Sequence, residues 1–210
     1  YKDEFMIVPS QHDESGGVRY QFVNEYGMTF LDLSYYLENE KLDRLVFNAQ
    51  FASGQNDQFV DVFGHPSLDE LVKNYSLSQI LTDYGPPNEI LFFAWGLDPM
   101  DKRTREPFLI AIFYSEEGFL IQYNGQATQN NGSQLMICPR ELSVQLTSWD
   151  PESSPTLEQV TVGDSGFTLM SRYVDSYKSI GEVSSISEEQ FFETFVDPES
   201  TECFETPVEL

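Results

Sequence analysis

The chain has 210 residues, 40% hydrophobic and 14% aromatic, with 17 Phe and 11 Tyr. That is enough to bury a core in one generous domain or two small ones, and too rich in core formers for a disordered segment. Lys and Arg number 11 against 35 Asp and Glu, a net charge of −24, a field that repels phosphate backbones and anionic lipid surfaces and so excludes nucleic acid as the expected partner.

Residues 1–17 are polar and close on Asp13-Glu14-Ser15-Gly16-Gly17, which reads as a turn or lead-in. Val18–Val23 suits a first strand. Alternation over 28–38, a tight connection at Asn39-Glu40-Lys41 and a returning apolar stretch over 42–51 predict a β-hairpin. Residues 53–57 read as a loop.

A helical part follows. Ser67 with Glu70 has the spacing of a capping box, and Leu68, Leu71 and Val72 share one face. Ser76 repeats the signal with Gln79, and Leu77, Ile80, Leu81 and Tyr84 then fall at helical spacing. This helix is expected to stop at Gly85, which takes the left-handed exit, because Pro86 and Pro87 cannot continue it. Tyr84 is expected to lay its ring over the seam between helix and sheet.

Strands come next. Residues 89–95 form one, and the near-continuous apolar run 107–115 predicts a central one. Glu116-Glu117-Gly118 turns it into 119–123 as a second hairpin. The Asn-, Gln- and Gly-rich stretch 124–133 reads as a polar loop, followed by short strands at 134–138 and 142–149. Trp95 and Trp149 are expected to face the core from these strands. Residues 150–155 look like a linker, 156–162 a short helix or strand, and 167–174 has some strand character. Ser187-Glu188-Glu189-Gln190 opens a last helix with Phe191, Phe192, Phe195 and Val196 on its apolar face, ended by Asp197-Pro198. The expected class is α+β: antiparallel sheet with a few short helices packed on one face. The expected parts are an N-terminal hairpin region over 1–57, a helix-plus-sheet module over 58–149, and a C-terminal extension with one helix over 150–210, packed on the same core.

Motifs that carry chemistry are scarce. Gly163-Asp164-Ser165-Gly166 copies the nucleophile segment of chymotrypsin-like proteases, but such a triad needs a histidine base and an aspartate in set surroundings. Only His12 and His65 exist, and neither has them. The segment reads as a turn. Two distant His and two distant Cys do not make a zinc site, and Asp98 with Asp101, or Asp13 with Glu14, lack the alternating acids of an EF-hand. No cofactor or metal is expected. Lys102-Arg103-Thr104-Arg105 is the one basic cluster and reads as a solvated loop. Asn74-Tyr75-Ser76 and Asn131-Gly132-Ser133 fit the glycosylation sequon, a tripeptide common by chance. Paired carboxylates for glycoside cleavage are a three-dimensional matter that sequence leaves open.

Cys138 and Cys203 are the two cysteines. They suit one disulfide in an oxidising compartment, with two unrelated thiols as the alternative. A bridge would close a long loop, worth about 4 kcal/mol on loop entropy. Because the chain begins at Tyr1, removal of an upstream segment is expected.

The order helix, Tyr84-Gly85-Pro86-Pro87, strand, loop, strand, glycine turn, strand resembles the small module of SmpA/OmlA-type envelope lipoproteins and of beta-lactamase-inhibitor-like proteins. The residues that carry the likeness are Leu77, Ile80, Leu81, Tyr84, Gly85 and Pro87, followed by the strands at 90–95, 108–114 and 119–123. Together with the Tyr-Ser-Glu-Glu-Gly-Phe hairpin at 114–119 and the closing Glu-Gln-Phe-Phe, Cys and Thr-Pro, the corner is also similar to uncharacterised bacterial lipoproteins of the kind common in Chloroflexi. The resemblance implies a non-enzymatic protein of the cell envelope or cell surface. It would touch the membrane only through a lipid on a cysteine upstream of Tyr1, and an envelope protein would be its partner. Tyr84, Gly85, Pro86 and Pro87 then form a structural corner that doubles as an interaction edge. The alternative reading is a secreted carbohydrate-binding protein or glycoside hydrolase using paired carboxylates.

Overall fold

The computed structural model describes residues 6–10, 18–23, 29–38, 41–49, 74–94, 105–130, 134–139, 143–153 and 177–207. Outside them lie the capping signal at Ser67, His12, His65, Trp95, the acids at 13, 14, 98 and 101, residues 102–104 of the basic cluster, the sequon at Asn131, the Gly163 segment, and the elements expected at 156–162 and 167–174. The strands are β1 (Met6–Ser10), β2 (Val18–Val23), β3 (Thr29–Glu38), β4 (Lys41–Ala49), β5 (Glu89–Ala94), β6 (Arg105–Tyr114), β7 (Phe119–Asn130), β8 (Gln134–Ile137), β9 (Ser143–Trp149), β10 (Lys178–Ser179) and β11 (Phe204–Pro207). The helices are α1 (Leu77–Tyr84), α2 (Ile180–Val183) and α3 (Glu188–Phe195). The fold is α+β, an antiparallel sheet with a few short helices. Two compact units divide the chain: Tyr1–Phe51 with Tyr114–Ile121 and Val144–Asp175, and Ala52–Phe113 with Gln122–Ser143 and Ser176–Leu210.

In the first unit β1, β2, β3, β4 and β9 lie in that order, each antiparallel to the next. The β3–β4 hairpin closes on Glu38 opposite Lys41, as the alternation predicts. Register shifts at Phe22/Val23 and at Tyr36/Leu37 interrupt the ladders, the mark of a bulge that adds twist. The expected lead-in is corrected: Met6–Ser10 is a strand, with Met6 opposite Val23 and Ser10 opposite Arg19. Its apolar stretch is short and runs into Pro9 and Ser10, so composition hides it, and only the neighbouring strand reveals its pairing.

The turn at Glu116-Glu117-Gly118 forms as read. Gly118 has φ +75°, and its carbonyl accepts from the Trp149 amide at 2.9 Å. A Cβ there would stand 2.7 Å from the Trp149 carbonyl oxygen and 2.8 Å from Pro151 Cγ. Both the dihedral and the space therefore require glycine. Tyr114 and Phe119 flank the turn, stacked with ring centres 4.8 Å apart, and Trp149 is buried.

In the second unit β5 pairs with β6 and with the two-residue β10, Phe92 lying opposite Ile110 and Lys178. Every residue from Ile90 to Ala94 and from Phe108 to Ile112 is buried. Both faces of these strands are covered, which accounts for a continuous apolar run where a one-sided strand would alternate. Leu77, Ile80 and Leu81 bury the inner stripe of α1. Phe92 lies against Phe108 and Phe204 (6.1 and 5.9 Å), and Phe204 meets Phe191 and Phe195 of α3 (6.1 and 6.2 Å). Ser187 caps α3 with a complete capping box: its Oγ accepts from the Gln190 amide at 3.2 Å, and Gln190 Oε1 accepts from the Ser187 amide at 2.9 Å.

The polar loop expected from residue 124 is also corrected. β7 runs on to Asn130, pairing Thr128 with Met136 and Asn130 with Gln134. Gly125 and Ala127 are buried while Gln126 and Thr128 are exposed. The alternation of a strand is present, but its inward residues are too small to register as apolar. β10, α2 and β11 were not predicted. Each spans four residues or fewer, too short for any periodicity to show.

Cys138 and Cys203 form a disulfide. They follow and precede the Ile137–Phe204 pair of the β8–β11 ladder, with Cα atoms 4.4 Å apart, the spacing of a cross-strand pair. The outer edge of β11 is covered: the Ser185 amide donates to the Glu205 carbonyl (3.0 Å), the Glu205 amide to Ser185 Oγ (3.2 Å) and Thr206 Oγ1 to the Val183 carbonyl (2.7 Å). Fixing Cys203 through Pro207 costs about 1–2 kcal/mol per residue in backbone entropy. Burying Phe204 offsets about 2–3 kcal/mol, and each hydrogen bond to the α2–α3 segment and to β8 offsets about 1. These terms are of similar size, and the disulfide adds a covalent tie one residue before Phe204.

Two expectations test this core. Gly118→Ala should lower Tm by at least twice the shift of Gly85→Ala, where nothing lies within 4 Å of an added Cβ and only the backbone penalty of about 1–2 kcal/mol applies, roughly 2–8 °C for a chain of this size. Tyr177 is 8% exposed, packs on Phe93 at 5.5 Å, and its hydroxyl finds no hydrogen-bond partner among the described residues. Burial pushes its phenol far above the usual range. Tyr177→Phe should therefore stabilise the fold by about 1 kcal/mol, and a loss of stability in thermal or denaturant melts would show that the hydroxyl is used.

Candidate functional site

The chain enters α1 at Ser76, whose Oγ accepts from the Gln79 amide at 3.4 Å and whose carbonyl accepts from the Ile80 amide at 3.0 Å. The Gln79 side chain donates to Asp83 Oδ1 (2.8 Å), an i,i+4 contact on the outer face. Tyr123 ties the entrance to the sheet: its phenolic hydroxyl donates to the Tyr75 carbonyl at 3.0 Å. Asn74, the sequon residue, is exposed just before this point.

The exit is a sharp corner. The Gly85 amide donates to the Leu81 carbonyl at 3.0 Å, and Gly85 sits at φ +76°, the left-handed stop that the sequence predicts. Pro86 is exposed and Pro87 half-buried. One residue later the Asn88 amide donates to the Phe113 carbonyl at 3.0 Å, which locks the chain onto β6 at the start of β5. The corner thus turns a helix into a strand within four residues.

Tyr84 lies at the end of the stripe formed by Leu77, Ile80 and Leu81, yet 47% of its surface is exposed, the one large hydrophobic residue so placed among the described residues. Tyr84, Gly85, Pro86 and Pro87 therefore form a ledge of one aromatic ring and two pyrrolidine rings.

A carboxylate pair lies further along the chain. Glu89 opens β5, and partial burial together with the neighbouring charge of Glu188 holds its carboxyl above the usual range. Glu188 opens α3 and accepts from Ser179 Oγ at 2.9 Å. Burial disfavours the charged form of Glu89, and the Glu188 charge adds to that in the same direction. Among the described residues no group of three or more His, Cys, Asp or Glu could hold a metal ion, and no helix is long and apolar enough to cross a membrane. Sequence reasoning misses the pair because 99 residues separate its members (188 − 89) and neither carries a motif.

No protein-family model, curated protein or solved structure matches the chain.

Because the Glu89 pKa is raised in the fold, the folded protein holds this proton to higher pH than the unfolded chain does. Stability attributable to Glu89 is then greatest below the unfolded carboxylate pKa, falls as pH rises through the interval up to the folded value, and stays reduced above it. Glu89→Gln should remove that loss: Tm rises by about 1 °C at pH 7, the scale of an exposed like-charge contact, and matches the parent at pH 3. An equal shift at both pH values would show that charge is not the cause.

Proposed function

We propose that the protein is a non-enzymatic, extracytoplasmic component of a bacterial cell envelope or surface, held to the membrane through an upstream lipid, that acts by protein–protein contact. The observation that carries this reading is the Tyr84–Pro86 ledge: an exposed aromatic ring on a rigid corner, where burial by a partner recovers apolar area at little cost in chain entropy. The disulfide supports an oxidising compartment, and the acid-rich composition suits a partner that is not a nucleic acid. The likeness of the corner and its flanking strands to envelope lipoproteins supports the anchor and the non-catalytic role.

One observation favours a second reading. Glu89, held above its usual range beside Glu188, is the pairing from which a general acid is made. A secreted carbohydrate-binding protein or glycoside hydrolase would use it, and glycan hydrolysis that Glu89→Gln and Glu188→Gln each abolish would favour that reading.

The contact reading is tested in the native host. Intact mass should exceed that of the chain by a lipid and rise by about 2 Da on reduction, as one disulfide requires. A photo-cross-linking residue at position 84 should give one discrete adduct that the same residue at exposed Asp197 does not give. Absence of lipid together with equal labelling from both positions would end this assignment.

A further inference from the structure

The docking balance of β11 points to a device distinct from the ledge and independent of its partner. We propose that β11 is a strap locked by oxidation: with Cys138–Cys203 intact it is seated in the second unit, and in the dithiol form it leaves its slot between Phe92 and α3.

Four observations converge on this. Both cysteines are half-buried, so a dithiol reductant can reach the bond without prior unfolding. β11 pairs with a single strand, β8, over four residues. Its other edge is held by the α2–α3 segment through Ser185 and Val183, a segment that itself has only short elements. Only two of its residues, Phe204 and Thr206, are buried, and Phe204 is the ring that joins Phe92 to Phe191 and Phe195. The energetic terms on the two sides of docking are of similar size once the covalent tie is removed, so breaking that tie shifts the strand from almost always seated to substantially released.

The chemistry is a two-electron exchange. A thiolate of the dithiol attacks one cysteine sulfur, the sulfur–sulfur bond breaks, and the second cysteine departs as a thiolate that takes a proton. The reductant's other thiol then displaces the first cysteine, leaving two protein thiols and an oxidised reductant. Withdrawal of Phe204 uncovers the facing sides of Phe92, Phe191 and Phe195, an apolar slot present only in the reduced protein. Oxidation closes it, so the chain completes its C-terminal packing only where disulfides form.

The test is hydrogen exchange on the whole protein, followed by peptide, with and without excess dithiothreitol, and on Cys138→Ser/Cys203→Ser. Exchange of the β11 and Ser185 amides should accelerate by roughly a hundredfold in the reduced and doubly substituted forms, as expected when a marginally packed strand opens locally. Amides of β5 and β6 should change by less than about twofold, the behaviour of a local opening. Unchanged exchange in β11 would show that packing alone seats the strand. Acceleration across β5 and β6 as well would show that the bond supports the whole unit. A bond that dithiothreitol cannot reduce without denaturant would remove the switch. Each of these three results overturns the proposal, and none of them bears on contact at Tyr84.

Discussion

Phe204 is the residue on which the second unit turns. One ring reaches the sheet through Phe92 and the last helix through Phe191 and Phe195. The helix has eight residues, a length that is marginal in isolation. Its capping box fixes where it begins, but its packing comes from the aromatic contacts. The sheet supplies a rigid floor because β5 and β6 are buried on both faces. The disulfide lies one residue before Phe204, so the covalent constraint acts where the apolar contact is made.

Legibility in the sequence followed the strength of local signals. The exit at Gly85, the turn at Gly118, the capping of α1 and α3 and the β3–β4 hairpin rest on residues whose backbone or hydrogen-bonding preferences admit few alternatives. All four are in place. Strands lacking large apolar residues were not readable: Gly125 and Ala127 face inward on β7, yet their neighbours made the stretch look like a loop. β1 and β11 depend on partners elsewhere in the chain, since Met6 pairs with Val23 and Phe204 with Ile137. Long-range pairing of short strands leaves no periodic trace. The disulfide was legible as a possibility from the count of two cysteines, and its position beside a ladder pair was not.

The candidate site shows the same division. Tyr84, Gly85, Pro86 and Pro87 could be read as a corner because glycine and proline constrain the backbone directly. The exposure of Tyr84 could not, because its helical spacing with Leu77, Ile80 and Leu81 gives no sign of it. Nor could Glu89 and Glu188, which meet only after β5 and α3 are both placed. The chain therefore reveals its turns more readily than its surfaces.

The two prolines have a chemical consequence at the ledge. Neither Pro86 nor Pro87 has an N–H. The Gly85 amide is turned back to Leu81 and the Asn88 amide forward to Phe113. From 85 to 88 the main chain thus has no donor left to offer a visitor, while the carbonyls of the prolines remain acceptors. A partner that adds a strand by exchanging main-chain bonds in both directions finds no match here. Any main-chain pairing at this corner would be one-sided, with the N–H groups coming from the visitor.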